Sequence, residues 1–162
     1  VAITIDVAAR RIDAAVGDLV AEPDQRAIGL SGSGLTRLWI GQELHSRIQQ
    51  ELAAEDPGFR AEVPVSAELE IDGWTLALAG RADGVQYDGG QPVRVDEIKT
   101  LHFAVDLHNL YLDERLERFR RQARLYALML SAPERPVAAR LLLVDIVSGE
   151  LESEELECDA EA

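Results

Sequence analysis

"GRADGVQYDGGQPVRVDEIKT", Gly80 to Thr100, is the stretch on which the fold turns. Two runs rich in alternating and β-branched residues are joined by "DGG" at Asp88 to Gly90, the signature of a tight antiparallel hairpin. Strand side chains alternate between two faces, so in the second run Val93, Val95, Glu97 and Lys99 share one face and Arg94 and Asp96 the other. Charges therefore continue the apolar face of a half-buried strand, while the face expected to meet solvent already has its own. Buried charges are costly unless they are paired or bound to a metal. A plain ion pair between Glu97 and Lys99 meets that condition alone, and a cation site shared with Asp83 meets it too.

The neighbouring segments extend the hairpin into a larger unit. "RAEVPVSAELEI" and "WTLALAGRADGVQY" meet at the turn "DG", Asp72 to Gly73, so Arg60 to Lys99 reads as a three-stranded antiparallel meander. Before it, "VAITID" is a short strand or extended arm. Asp6 as N-cap, with Val7, Ile12, Val16 and Leu19 or Val20 at helical spacing, predicts a helix over 6–22. "GLSGSG" interrupts the chain, and Leu38, Leu44, Ile48 and Leu52 mark a second helix that carries His45 and stops at "DPG". After the meander, "DERLERFRRQARLYALML" is helical, and "VAARLLLVDIV", "SG" and "ELESEELE" form a last hairpin. Amphipathic elements need a second layer, which predicts one α/β domain with a mixed β-sheet flanked by helices over residues 1–149, followed by an acidic final strand and interdomain linker over 150–162.

Composition narrows the function classes. A chain of 162 residues with 47% apolar and 28% charged residues has the balance of a globular domain with a real core. Its longest apolar runs, such as Leu141 to Val144, are far too short to span a membrane, and no basic leader with a small-residue cleavage site is visible, so the expected compartment is the cytoplasm. A single cysteine, Cys158, excludes intrachain disulfides, cysteine-rich zinc sites and a four-cysteine iron–sulfur cluster in this segment. The net charge of -14 argues against a nonspecific nucleic-acid coat protein, and seven acids without a base fall within Glu150 to Ala162. Arg115, Arg118, Arg120, Arg121 and Arg124 crowd into ten residues and form the expected contact for any polyanion.

Magnesium and manganese take oxygen ligands and keep several waters, so one or two carboxylates, a carbonyl and a substrate phosphate make a sufficient site. Asp83, Glu97 and the carbonyl of Ile98 form such a set, and Lys99, on the Glu97 face, is placed to stabilise charge on an attacked phosphate. Gly80 is the expected position of any bulge that would turn Asp83 to another face.

Together "GRAD", "VDEIKT", "GQELH" at Gly41 to His45 and "QARLY" at Gln122 to Tyr126 resemble the PD-(D/E)XK nuclease superfamily, in particular its RecB-type branch. Nearly the whole chain is covered, and "AEVPVSAELEIDGWTLALAGRADG" is similar to nuclease domains that precede a DinG-like, superfamily-two helicase. The resemblance implies a restriction-endonuclease-like core that hydrolyses DNA phosphodiesters, acting with Mg2+ or Mn2+ on single strands or DNA ends, beside a helicase domain of the same chain. It implies catalytic Asp83, Glu97 and Lys99, metal ligation by His45, Asp83, Glu97 and Ile98, and DNA contacts by Arg118, Gln122 and Tyr126 as a helix stripe distinct from Leu116, Phe119, Ala123 and Leu130, while Arg81, two residues before Asp83, reads as a DNA phosphate contact or as the partner of an acid. Glu62 in "EVP" resembles an acidic position near the start of the meander in relatives and reads otherwise as capping or solvating its strand, Phe103 and Tyr111 read as core or as base-stacking groups, and His102 and His108 as unassigned loop histidines. Rival readings are a catalytically silent DNA-binding clamp and an acidic protein-interaction module with structural ion pairs.

Overall fold

The computed structural model describes residues 3–20, 32–103 and 112–158, with side chains of the two long helices described from Trp39 and Leu116 onward. His108, Tyr111 and the side chains of Leu38 and Arg115 fall outside these residues. Along the chain run β1 (Thr4–Asp6), β2 (Arg11–Ala15), the single turn α1 (Val16–Leu19) and the long helix α2 (Gly32–Glu55). They are followed by β3 (Phe59–Ile71), β4 (Trp74–Asp88), β5 (Gln91–Leu101), α3 (Leu112–Leu130), β6 (Ala138–Asp145) and β7 (Leu151–Leu156). The expected mixed α/β architecture is present, a seven-stranded sheet in the order β1-β2-β4-β5-β6-β7 with β3 paired to β4.

Two turns set the register of the meander. Asp72 and Gly73 both have positive φ, 51° and 77°, as do Gly89 and Gly90 at 54° and 79°, the backbone of two-residue hairpin turns. From the first turn β3 and β4 pair antiparallel back to Phe59 and Gln86. From the second, β4 and β5 pair until the register shifts between Gln86 and Tyr87, which leaves Val93 as the extra residue on β5. The bulge thus lies in the hairpin and not at Gly80. Val93 is exposed, and the pairing that resumes at Gln86 with Arg94 and ends at Gly84 with Asp96 points Asp83 at Glu97 instead of at Asp96.

Both faces of β5 are covered, which corrects the expectation of a solvent face. α3 buries the face of Val95 and Leu101 in the main core with Leu116, Phe119, Ala123, Tyr126 and Ala127. On the other face Ile98 packs with Ile48 of α2 and with Leu142 and Val144 of β6, an arrangement that stabilises α2 on the sheet by about 1.5–3 kcal/mol for Ile98 alone. Asp96, on that same face, is fully buried and accepts hydrogen bonds from Arg94 at 2.8 Å and from Arg140 at 2.8 and 2.9 Å. β5 and β6 run parallel through the crossover that contains α3, the usual reason for a strand buried on both sides.

The predicted helix over 6–22 is instead β1, a tight turn, β2 and α1. Asp6 does cap, but its Oδ1 accepts the Ala9 N–H at 2.9 Å inside a turn closed by Arg10 at φ 48°. Val7, which a helix would bury, is 72% exposed. β2 pairs in parallel with Thr75 to Ala79 of β4, so ladder formation with the sheet prevails over a weak helical period.

A candidate metal centre at a strand fork

β4 pairs with β2 up to Ala79 and with β5 from Gly84, so on this edge residues 80–83 stand in a fork between the two neighbours. Asp83 sits in the fork. Its Oδ2 accepts the Ile98 N–H at 2.8 Å, a backbone donor that the β4 ladder no longer reaches, and lies 3.5 Å from Lys99 Nζ. Its Oδ1 faces His45 Nε2 of α2 at 3.7 Å. Glu97, at 0% exposure, pairs with Lys99 Nζ at 2.5 Å. The structure therefore brings Asp83, Glu97, Lys99 and His45 together and puts the Ile98 backbone beside them.

Glu62 joins this group, at the acidic position that the resemblance marks and not as a cap of its strand. Continuing the β3–β4 register places it opposite Asp83, and it has φ 54°, strained for a residue with a Cβ. One ligand atom each of His45, Glu62 and Asp83 lies within 4.8 Å of the others. The signal was present in the sequence: the two-residue turn at Asp72 and Gly73 fixes the register, and counting back from it pairs position 62 with position 83.

The electrostatics match the geometry. Burial pushes the Glu97 carboxyl up to about 7, Asp83 and Glu62 push the same way, and Lys99 opposes them. Burial acts to lower the Lys99 pKa, but Glu97 and Asp83 outweigh it and the ammonium is held above its ordinary range. Among the described residues Glu97 Oε1 has only Lys99 as partner, while Glu97 Oε2 and His45 Nε2 have no hydrogen-bond partner. A buried carboxylate oxygen and an imidazole nitrogen without partners, beside the carboxylates of Asp83 and Glu62, make a donor set that could hold a divalent cation.

The four residues expected at DNA divide. Arg81 is exposed at the mouth of the fork, 3.8 Å from Glu62 Oε2. Arg118 and Gln122 are partly buried, and Arg118 flanks the Phe119 ring at 4.8 Å while Lys99 lies 5.3 Å from the same ring. Tyr126 departs from the expected stripe: it is 3% exposed in the main core, because α3 needs a large apolar surface against β4. Its hydroxyl accepts the Arg81 N–H at 3.1 Å, and the absence of a Cβ at Gly80 makes room for it. Tyr126 thus braces the strand two residues before Asp83. The arginine cluster of α3 also divides, since Arg120 pairs with Glu154 of β7 at 2.9 Å while Arg121 and Arg124 reach Glu117 at 3.4 and 3.5 Å. His102 and Phe103 follow β5, and Phe103 packs against the main core.

No family model matches the chain, and no curated protein matches it significantly. Among solved structures it is similar to that of SSO0001, with a TM-score of 0.59 and 21% identity over 90% of this chain and 67% of that one. It is also similar to an alkaline exonuclease (LHK-Exo) from Laribacter hongkongensis, with a TM-score of 0.52 and 12% identity over 91% of this chain and 78% of the other. The chain has a restriction-endonuclease-like core, a mixed sheet flanked by helices. No helix among the described residues is long and apolar enough to cross a membrane.

Proposed function

We propose that this chain is a divalent-metal-dependent deoxyribonuclease domain of the RecB type. The observation that carries the reading is the convergence of Asp83, Glu97 and Lys99 at the fork, where Glu97 Oε1 pairs with Lys99 and its buried Oε2 has no partner among the described residues. His45, Glu62, Asp83, Glu97 and the Ile98 carbonyl would hold Mg2+ or Mn2+. When bound, such an ion lowers the pKa of a coordinated water and offsets charge on a phosphodiester. Lys99, kept protonated by Glu97 and Asp83, stabilises negative charge that develops on the phosphate. Arg81, Arg118 and Gln122 contact the DNA backbone, and Tyr126 acts through the strand that carries Arg81.

The substrate under this reading is single-stranded DNA or DNA ends, delivered by a helicase domain of the full-length cytoplasmic protein during DNA repair, with residues 150–162 leading toward the next domain. A catalytically silent clamp would need a lost ligand or lysine, and His45, Asp83, Glu97 and Lys99 are all in place. The test is cleavage of labelled single-stranded DNA by the purified protein in Mg2+ or Mn2+ and its arrest by EDTA. Cleavage that persists in EDTA, or none with either metal, refutes the reading.

A further inference from the structure

Gln49 is 8% exposed on α2, one helical turn after His45, and its side chain points into the fork. Its Nε2 donates to Glu62 Oε1 at 2.9 Å and to the Asp83 backbone carbonyl at 2.8 Å. Both partners are acceptors only, so the amide nitrogen must face them and both of its hydrogens are committed. The two bonds tie α2 to β3 and to β4 at the two residues that face each other across the ladder.

We infer that Gln49 is a positioning residue of the metal centre, aiming the Glu62 carboxylate and fixing the backbone of Asp83 for cation binding. This rests on the metal-centre reading above. Glu62 needs such an anchor, since half of its side chain is exposed and its backbone is in the left-handed region. With Oε1 held by Gln49, Oε2 is the oxygen that remains for a cation or for Arg81, 3.8 Å away. A neutral amide does this without adding another negative charge beside Asp83 and Glu97. Partners that orient metal ligands commonly govern 10–100-fold in affinity.

The test is Mn2+ titration by calorimetry of the whole chain, wild type against Gln49→Met, Glu62→Gln and the double variant, with melting curves in EDTA. Methionine keeps the length and volume of glutamine and removes both donors without a charge. We expect Gln49→Met to weaken Mn2+ binding by about 10–100-fold, and to weaken it by a clearly smaller factor once Glu62 is already glutamine, because only the Asp83 carbonyl then remains for Gln49 to hold. If Gln49→Met does not fold, Gln49→Asn, one methylene too short to reach both acceptors, is expected to show the same loss. Wild-type affinity in the folded variant, or losses that simply multiply in the double variant, would overturn the inference alone. A wild type that takes up no Mn2+ would overturn the metal centre, and this role with it.

Discussion

Replacing Asp83 with asparagine separates a cation site from an ion pair by stability alone. Asparagine retains an oxygen to accept the Ile98 N–H, loses the contact of Oδ2 with Lys99 at 3.5 Å, and relieves repulsion with Glu97. These effects oppose each other, so the metal-free change is expected within about 1 kcal/mol in either direction. Free Mn2+ at ten times its dissociation constant should stabilise the wild type by about 1.4 kcal/mol, from RT ln(1 + [L]/Kd). For a chain of 162 residues that is a rise of about 3–6 °C in melting temperature. Asp83→Asn should lose most of this rise. If Asp83 were a structural partner of Lys99, the variant would instead lose about 3–5 kcal/mol without metal. Four melting curves, two proteins in EDTA and in Mn2+, decide; a strongly destabilised variant beside a metal-insensitive wild type refutes the cation site.

Lys99→Ala should reduce cleavage of single-stranded DNA by at least about 100-fold and leave binding within a few fold, since its charge acts on the transition state; parallel losses in filter-binding and cleavage assays would place Lys99 in substrate binding instead. Asp96→Asn leaves Arg94 and Arg140 against a neutral group and should cost about 3–5 kcal/mol in urea unfolding. A loss below about 1 kcal/mol would show that the buried triad is dispensable. Asp145 accepts from Ser148 Oγ, the Phe103 N–H and the Ser148 N–H, which hold its pKa down at about 2. A depressed carboxylate stabilises the fold above its unfolded pKa and loses that effect as pH falls through the folded value. The stability gap between wild type and Asp145→Asn, from urea midpoints, should therefore be constant above pH about 5 and close between about 4 and 2; a gap that does not change with pH refutes the role of the charge.

How much of this was legible depended on whether the signal was local. The turns at Asp72–Gly73 and Gly89–Gly90 announce themselves by residues that tolerate positive φ, and with them came the meander and the proximity of Asp83, Glu97 and Lys99. The bulge at Val93 was not visible, because valine alternates acceptably on paper and only the pairing of Gln86 with Arg94 reveals the extra residue. Without that shift Asp96, not Glu97, would face Asp83. The first hairpin was misread for a related reason: an aspartate that accepts an N–H three residues on serves a helix start and a tight turn alike, and long-range pairing with β4 chose between them. Tyr126 shows the reverse limit, since a helix period places a residue on a stripe but does not say which stripe the sheet will cover.

The charge of the centre bears on how so acidic a chain can meet a polyanion. Asp83, Glu97 and Glu62 bring three carboxylates to the fork and Lys99 one ammonium, while Arg81 stands 3.8 Å from Glu62 at the solvent edge. With the carboxylates ionised, the group carries two more negative charges than positive ones, and burial raises the cost of the charge on Glu97. Protonation of Glu97, favoured first by its burial and then by Asp83 and Glu62, which raise its pKa to about 7, relieves one of them. A monovalent cation would also relieve only one. A divalent cation balances both and allows Glu97 to remain ionised, so its binding should release a proton near neutral pH. Calorimetry of Mn2+ binding at pH 7 in buffers of different ionisation enthalpy measures that release directly. Proton release that persists unchanged in Glu97→Gln would refute this account of the charge balance.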